Sequence, residues 1–411
     1  MANTLITPTW VANEAGVDFM NSVTFVNEVD RQYSDEYQQA GAKVGYTVQA
    51  RLPQRFEPKR GQAAQIQALL NQTTPITLTD QIQVAWEYSS AQASMEIQRV
   101  KEYYITPATN AIASACDALA FDSVYRDVFS SVGTPGTTPT ANSTYLDTLV
   151  KLADTSTPMN DLAAVLDIAA MTGLVNSNLT LFNPAQKISA QYQNGRFADN
   201  ALGIRRWSYD QNRPTHTTGT FTASTPLVDG ASQTGSSLLT NGWASNASSL
   251  KKGDVFTIAD VYGVNRINYE STGRLQQFVV TADSSDSGGA MTIPISPSII
   301  TSGQLKTVST SPANDAVITV LGATSAAGGT LATTSSPQSM VFTKGAFAFV
   351  MADLIRPSAG ADSSTVRSKQ YGIAIRYVQQ FQALTDQNVA RLDVLVGGAS
   401  VRPEFAARVW G

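Results

Sequence analysis

Apolar positions along the chain recur at two spacings, and the points where the spacing changes mark its elements. Towards the end the alternation is that of strands. Val341 and Phe342, with the run 346–351, lie between turn residues Gly345 and Asp353, and residues 371–378 alternate large and small. Residues 391–396 form a third strand that Gly397 and Gly398 stop, and 400–409 supply a fourth. Strands this late must pair with something made earlier, so the fold closes here. Upstream, Ile76 and Leu78, then Ile82, Val84 and Trp86, alternate as strand over 75–88. Over 89–104 the spacing turns helical. Thr106 before Pro107 then reads as a fresh N-cap and first helical position. The helix predicted there runs over 106–132 to a stop at Gly133, Pro135 and Gly136, with one stripe of Ile112, Cys116, Leu119, Ala120, Val124 and Val128. About 25 residues at ~1.5 Å rise make a rod of roughly 37 Å.

Between these ends the pattern is less regular. A short helix is expected over 145–153, a buried strand over 163–168 and a helical stretch over 169–175. From 220 to 340 Ser, Thr, Gly and Ala dominate, and short strands recur at 255–258, 275–281, 291–295 and 317–321. Short strands with frequent turns predict a small β-barrel or sandwich. At the start, Thr7 and Pro8 open a helical stretch whose apolar residues, among them Trp10, Val17, Phe19 and Val23, point to more than one side. That suits a segment touching two partners.

Charge changes this picture in two places. Charged residues are 15% of the 411, well under the ~25% of ordinary soluble domains, so much of the surface is neutral and cheap to bury against a neighbour. The few charges are also segregated. Glu14, Asp18, Glu28, Asp30, Asp35 and Glu36 oppose Arg31 alone in the first 36 residues. Lys43, Arg51, Arg55, Lys59 and Arg60 then oppose only Glu57. Val44, Tyr46 and Val48 alternate as a strand, while Pro53 and Pro58 confine the residues after it to an edge or loop. Such a basic hairpin either folds back on the acidic arm, reaches an acidic patch on a neighbouring copy, or stays solvated. The candidate intersubunit contacts are Lys43, Arg51, Arg55, Lys59 and Arg60 on one side, and Glu28, Asp30, Asp35 and Glu36 on the other.

Chemistry is sparse. The net charge of −4 argues against tight DNA binding, which needs a basic footprint. One cysteine, Cys116, excludes an intrachain disulfide, and one histidine, His216, excludes a multi-histidine metal site. Cys116 sits on the helix stripe as a small core residue, and His216 reads as structural. No phosphate loop, dinucleotide fingerprint, zinc-protease motif or nucleophile elbow occurs, so no catalytic, cofactor or metal site is expected. The first residues have neither a basic nor an apolar leader region, and no run of about 18 apolar residues suggests a membrane span. The expectation is a protein made in the cytosol.

Three groups of residues carry a resemblance. They are Phe381 to Asp386 with Arg391-Leu-Asp-Val-Leu395 and Val401-Arg-Pro-Glu-x-Ala-x-Arg408; Phe-Asn-Pro at 182–184 with Tyr-Asp-Gln-Asn-x-Pro-Thr-His-Thr-x-Gly-Thr at 209–220; and Lys251-Lys-Gly-Asp-Val-Phe-Thr-Ile with Gln-Phe-Val-Val-Thr at 277–281. In that order they resemble tailed-phage major capsid proteins, of the coat type of short-tailed Salmonella phages. The resemblance implies an α+β, HK97-like capsid fold. Its parts would be an N-terminal arm (1–36), an extended loop (37–74), a peripheral domain with spine helix (75–143), an axial domain (144–219), an inserted β-domain (220–340) and return strands (341–411). It also implies a homo-oligomer of pentamers and hexamers, scaffolding and portal proteins as partners, and a shell around double-stranded DNA without sequence-specific binding. The location implied is the virion, with assembly in the host cytoplasm. The family's charged contacts from the inserted domain do not carry over, because 228–250 holds one acidic residue, Asp229. Two alternatives stand beside this reading: an encapsulin-like compartment shell and an extracellular Ser/Thr-rich β adhesin.

Overall fold

The computed structural model describes residues 8–33, 47–59, 61–62, 65–89, 101–178, 194–325, 328–357, 361–368 and 372–411. The chain divides into two compact units, each assembled from distant stretches. One takes Met1–Arg51, Thr73–Ser123 and Phe347–Val401; the other takes Leu52–Gln72, Val124–Ala346 and Arg402–Gly411.

The first unit is built round the strand Gln387–Ser400. It pairs antiparallel with Asp80–Ser89 over ten residues, from Val396 opposite Asp80 to Gln387 opposite Ser89. It also pairs with Ile373–Gln382 and Phe347–Ala352, and Asp362–Ser368 completes a five-stranded sheet. The late strands thus close on an early one, as their alternation predicts. Leu392, Val394, Leu395 and Val396 are buried on both faces, and Asp393 lies among them with no exposure. Its carboxylate accepts from Arg376 Nη2 at 2.6 Å and from Arg391 Nε at 2.5 Å. That accounts for the Arg-Leu-Asp spacing: residues 391 and 393 share a strand face, and a buried carboxylate needs such partners.

Two sequence expectations change here. Gly397 and Gly398 do not stop the strand, which runs through them to Ser400. At Gly397 nothing larger fits, since a Cβ would lie 2.2 Å from the Thr77 carbonyl oxygen; at Gly398 one would lie 2.4 Å from Ser123 Oγ, which would have to turn aside. The helix is also shorter than the apolar stripe suggests, spanning Thr106–Tyr125. Val128 and Phe129 continue the stripe but leave the helix, because Phe129 packs with Val255 and Val279 and Ser131–Val132 joins a sheet beside the final strand. On the helix itself Ala113, Cys116 and Ala120 are buried, small residues that let it approach the sheet closely. Preceding it, Lys101–Ile105 is helical; of the rest of the helix predicted over 89–104, Ser89 ends the strand instead and 90–100 lie outside the described residues, as do Val44, Tyr46 and the Asn183-Pro184 turn.

The N-terminal helix Pro8–Ser22 packs on this unit. Asp117, buried on the long helix, accepts from the backbone N–H groups of Thr24 at 2.6 Å and Val26 at 2.9 Å, and so caps the short turn Phe25–Glu28. Phe25 stacks on Phe121 with centroids 4.5 Å apart.

The second unit has two cores. One sheet, in the order Ser131–Val132, Ala406–Trp410, Ser335–Thr343, Leu162–Leu166, Arg206–Tyr209, carries the helices Asn142–Asp154 and Ile168–Asn178. Trp207, Tyr145 and Leu174 anchor its core. The final strand begins at Ala406, after a 3-10 turn at Pro403–Phe405 that replaces the start of the strand expected over 400–409. The second core belongs to the 220–340 segment. Its six strands run in the order Ile318–Val320, Val255–Val264, Ser271–Val280, Met291–Ile299, Gly235–Asn241, Leu227–Val228. The two ends meet, since Val228 N–H donates to Ala316 O and Ile318 N–H to Pro226 O. Closure removes the sheet edges, so of barrel and sandwich the segment is a barrel, filled by Phe256, Phe278, Ile293 and Ile295 among others.

Replacing Gly397 by alanine should shift the urea unfolding midpoint down by the equivalent of about 2–3 kcal/mol, because neither the Thr77 carbonyl nor the strand backbone can give way. A midpoint unchanged from the parent would show that the strand passes Thr77 with room to spare.

Candidate assembly interface

The basic segment after the acidic arm forms a hairpin stem, Thr47–Arg51 paired with Thr73–Thr77. Between the strands, the described residues of Leu52–Gln72 contain neither helix nor strand. Pro53 and Pro58 account for this, since each removes a backbone donor and fixes φ. The segment displays apolar side chains to solvent: Phe56 is 57% exposed, Leu69 69% and Ile66 98%. Such residues in a row have no stabilising role in a lone molecule.

The candidate charges differ in their surroundings. Arg51 ends its strand exposed. Lys59 is exposed and meets Glu57 at 2.7 Å. Arg55 turns inward, with Nη2 3.1 Å from Glu404 Oε1, and Arg266 pairs with the same carboxylate. Of the acidic set, Glu28 is only 5% exposed. Asp30 is held in the arm, its backbone N–H bonded to Phe347 O, its carbonyl to Phe349 N–H and its carboxylate to Gln32 N–H. Lys43, Arg60, Asp35 and Glu36 lie outside the described residues. Sequence reasoning misses Glu404, whose role needs Arg55 and Arg266 brought together from 349 and 138 positions away.

A second polar cluster is fully internal. His216 does have a carboxylate partner, supplied by the Lys-Lys-Gly-Asp turn: its Nε2 is 2.9 Å from Asp254 Oδ1. The other oxygen of Asp254 accepts from Gly219 N–H at 2.9 Å and Lys251 N–H at 2.8 Å. The imidazole meets Trp410 edge-on at 5.1 Å and Tyr125 at 5.9 Å. Gly253 has φ +104°, and a Cβ there would press on His216 Cε1 at 2.9 Å, so glycine is required twice over. Arg408, without exposure, donates from Nη2 to Gly253 O at 2.5 Å and lies over the Trp410 ring at 4.9 Å. Burial pushes its guanidinium down to about 10, so it stays charged at neutral pH. Burial also holds His216 below the ordinary imidazole value of 6.5, against the opposing pull of Asp254. Among the described residues, the hydrogen bonds to this pair come from backbone N–H groups and not from a serine or cysteine side chain: Cys116 is buried on the long helix, and burial raises its thiol well above the usual range. The cluster fastens strand ends together.

An exposed apolar loop and a set of buried polar fasteners are what a shell-building subunit needs, and a match spanning residues 9–409 to the model of a bacteriophage coat protein puts the chain in that class. The family is described as "P22 coat protein - gene protein 5", and this chain belongs to it. It is a major capsid protein, a virion component that assembles into a multimeric shell, and its fold mixes helices with strands. Among solved structures, one from Mycobacterium phage Che8 aligns over 94% of this chain and 90% of that one, at 11% identity and TM-score 0.44. The CUS-3 coat protein I-domain aligns over 25% of this chain and 97% of its own, at 28% identity and TM-score 0.19. A virus-like particle from Pyrococcus furiosus aligns over 97% and 98%, at 6% identity and TM-score 0.39. No curated protein matches the chain. The family assignment rests on the 9–409 match, which favours neither the compartment shell nor the adhesin.

Because the folded imidazole titrates below its unfolded value, protonation favours the unfolded chain. Stability from this site is full above about pH 6.5 and is lost as pH falls from there towards the folded value. Denaturation midpoints should therefore decline between pH 7 and 5 in the parent and decline less steeply in His216→Gln. Parallel pH profiles for the two proteins would show that His216 is not the titrating group.

Proposed function

We propose that the Leu52–Gln72 segment of one subunit lies across a neighbouring subunit within pentamers and hexamers of the shell. The observation that carries this is the set of exposed apolar side chains, Phe56, Ile66 and Leu69, in a segment whose described residues hold neither helix nor strand. Covering such a side chain stabilises by up to about 1.5–3 kcal/mol when it starts fully exposed, as Ile66 nearly does, a gain that another copy supplies. Exposed Arg51 and Lys59 are the basic contacts of this reading. Arg55 is engaged with Glu404 and Glu28 is buried, so the reading does not count on either of them. Assembly proceeds in the host cytoplasm with a scaffolding protein and a portal. The shell encloses double-stranded DNA without reading its sequence, consistent with a net charge of −4.

Reversing the two exposed charges, Arg51→Glu with Lys59→Glu, should abolish shells in negative-stain images of the expressed protein. The circular dichroism and unfolding midpoint of the soluble subunit should stay at parental values, since exposed charges contribute little to folding. Normal shells from the double variant would overturn the trans contact.

A further inference from the structure

We propose that the turn at residues 383–386 of one subunit plugs a groove beside Glu404 on a second copy of the chain. The groove has a volume of about 340 Å³. Its walls are apolar and incompletely covered: Phe56 is 57% exposed and Ile267 70%, with Pro53 and Phe405 completing them. Its floor and rim are charged. Arg55 and Arg266 share the Glu404 carboxylate, and Arg402 stands over the Phe405 ring at 5.3 Å. Three guanidiniums against one carboxylate leave the groove positive, so its occupant is apolar with an acidic edge.

The turn has that chemistry. Leu384 is fully exposed and Phe381 is 53% exposed. Asp386 is exposed beside them, and no lysine or arginine occurs from 380 to 390. The turn joins Ile373–Gln382 to Gln387–Ser400, so it is carried on a paired hairpin. Little conformational entropy is then lost on docking. A leucine and a phenylalanine offered on a rigid tip are costly in a lone subunit and suited to a pocket on the next. The occupant is a second copy because the protein forms a shell of identical subunits and each copy brings both halves, one tip and one groove. Such a head-to-tail pairing propagates around a ring. The proposal rests on the reading that the 52–72 face meets a neighbour.

The test is disulfide trapping in assembled shells of the Ile267→Cys, Leu384→Cys double variant; native Cys116 is buried and stays silent. Mild oxidation should convert monomer into a ladder of covalent multimers on a non-reducing gel, absent from either single variant. Monomer-mass product alone, whether internally bridged or unbridged, overturns the proposal. Leu384→Lys, which sets a cation against the arginines, should lower shell yield roughly tenfold, with parental circular dichroism, while Leu384→Met assembles normally. Parental yield from Leu384→Lys also overturns it, and this second readout holds even where the cysteine pair fails to assemble. Tip and groove would be wrong on their own if Leu384→Lys assembles while the Arg51→Glu, Lys59→Glu variant does not. If both variants assemble, the neighbour contact beneath the proposal is wrong as well.

Discussion

The first unit depends on one strand being made last and buried deepest. Gln387–Ser400 is hydrogen-bonded to Asp80–Ser89, to Ile373–Gln382 and to Phe347–Ala352. Its partner at 80–89 was synthesised roughly 300 residues earlier, so the entropy of closing that loop must be met by everything the strand then buries. The sequence meets it with branched apolar residues on both faces, a glycine at 397 where neighbouring backbone comes too close for a side chain, and one carboxylate locked between two arginines. Weakening any of these loosens several strands at once.

The same economy recurs with the few charges the chain has. Asp117, Asp254, Asp393 and Glu404 are each buried or nearly so, and each accepts from a distant segment: Asp117 from residues 24–26, Asp254 from Gly219, Asp393 from Gln81 and Glu404 from Arg55 and Arg266. A carboxylate can accept several hydrogen bonds, so one buried acid can fasten three stretches of backbone or side chain. Leaving it unpartnered in the interior would cost several kcal/mol, so these sites also reject alternative packings. The remaining surface, rich in Ser, Thr, Asn and Gly, carries little desolvation penalty when another subunit covers it.

His216 and Cys116 show how function and structure separate in such a protein. Both are chemically capable residues in isolation. The fold gives His216 an aspartate but surrounds the pair with Trp410, Tyr125 and Arg408, so that both are buried. Cys116 is spent on letting a helix approach a sheet. The exposed chemistry is instead apolar, at Phe56, Ile66, Ile267 and Leu384, and the proposed contacts between copies rest on it.

How much of this was legible in the sequence depends on the range of each signal. Alternation over 75–88 and 391–396, the Thr-Pro start at 106, and the turn-rich run after 220 depend on near neighbours, so periodicity alone determined the long helix, the return strands and the β-domain. Charge segregation pointed to the 41–61 segment, and the ordered motifs to a capsid family. What only the tertiary structure decided involves residues far apart in the chain. Val128 and Phe129 continue a helical stripe yet leave the helix because a distant core recruits them. Gly397 and Gly398 read as a stop, whereas the strand runs through both and the Thr77 carbonyl makes glycine the residue that fits at 397. Arg55 looked like a surface cation until Glu404, 349 positions away, claimed it. Local spacing sets which element forms; the partners that finish its charges and fill its gaps come from elsewhere in the chain, and only the folded molecule brings them together.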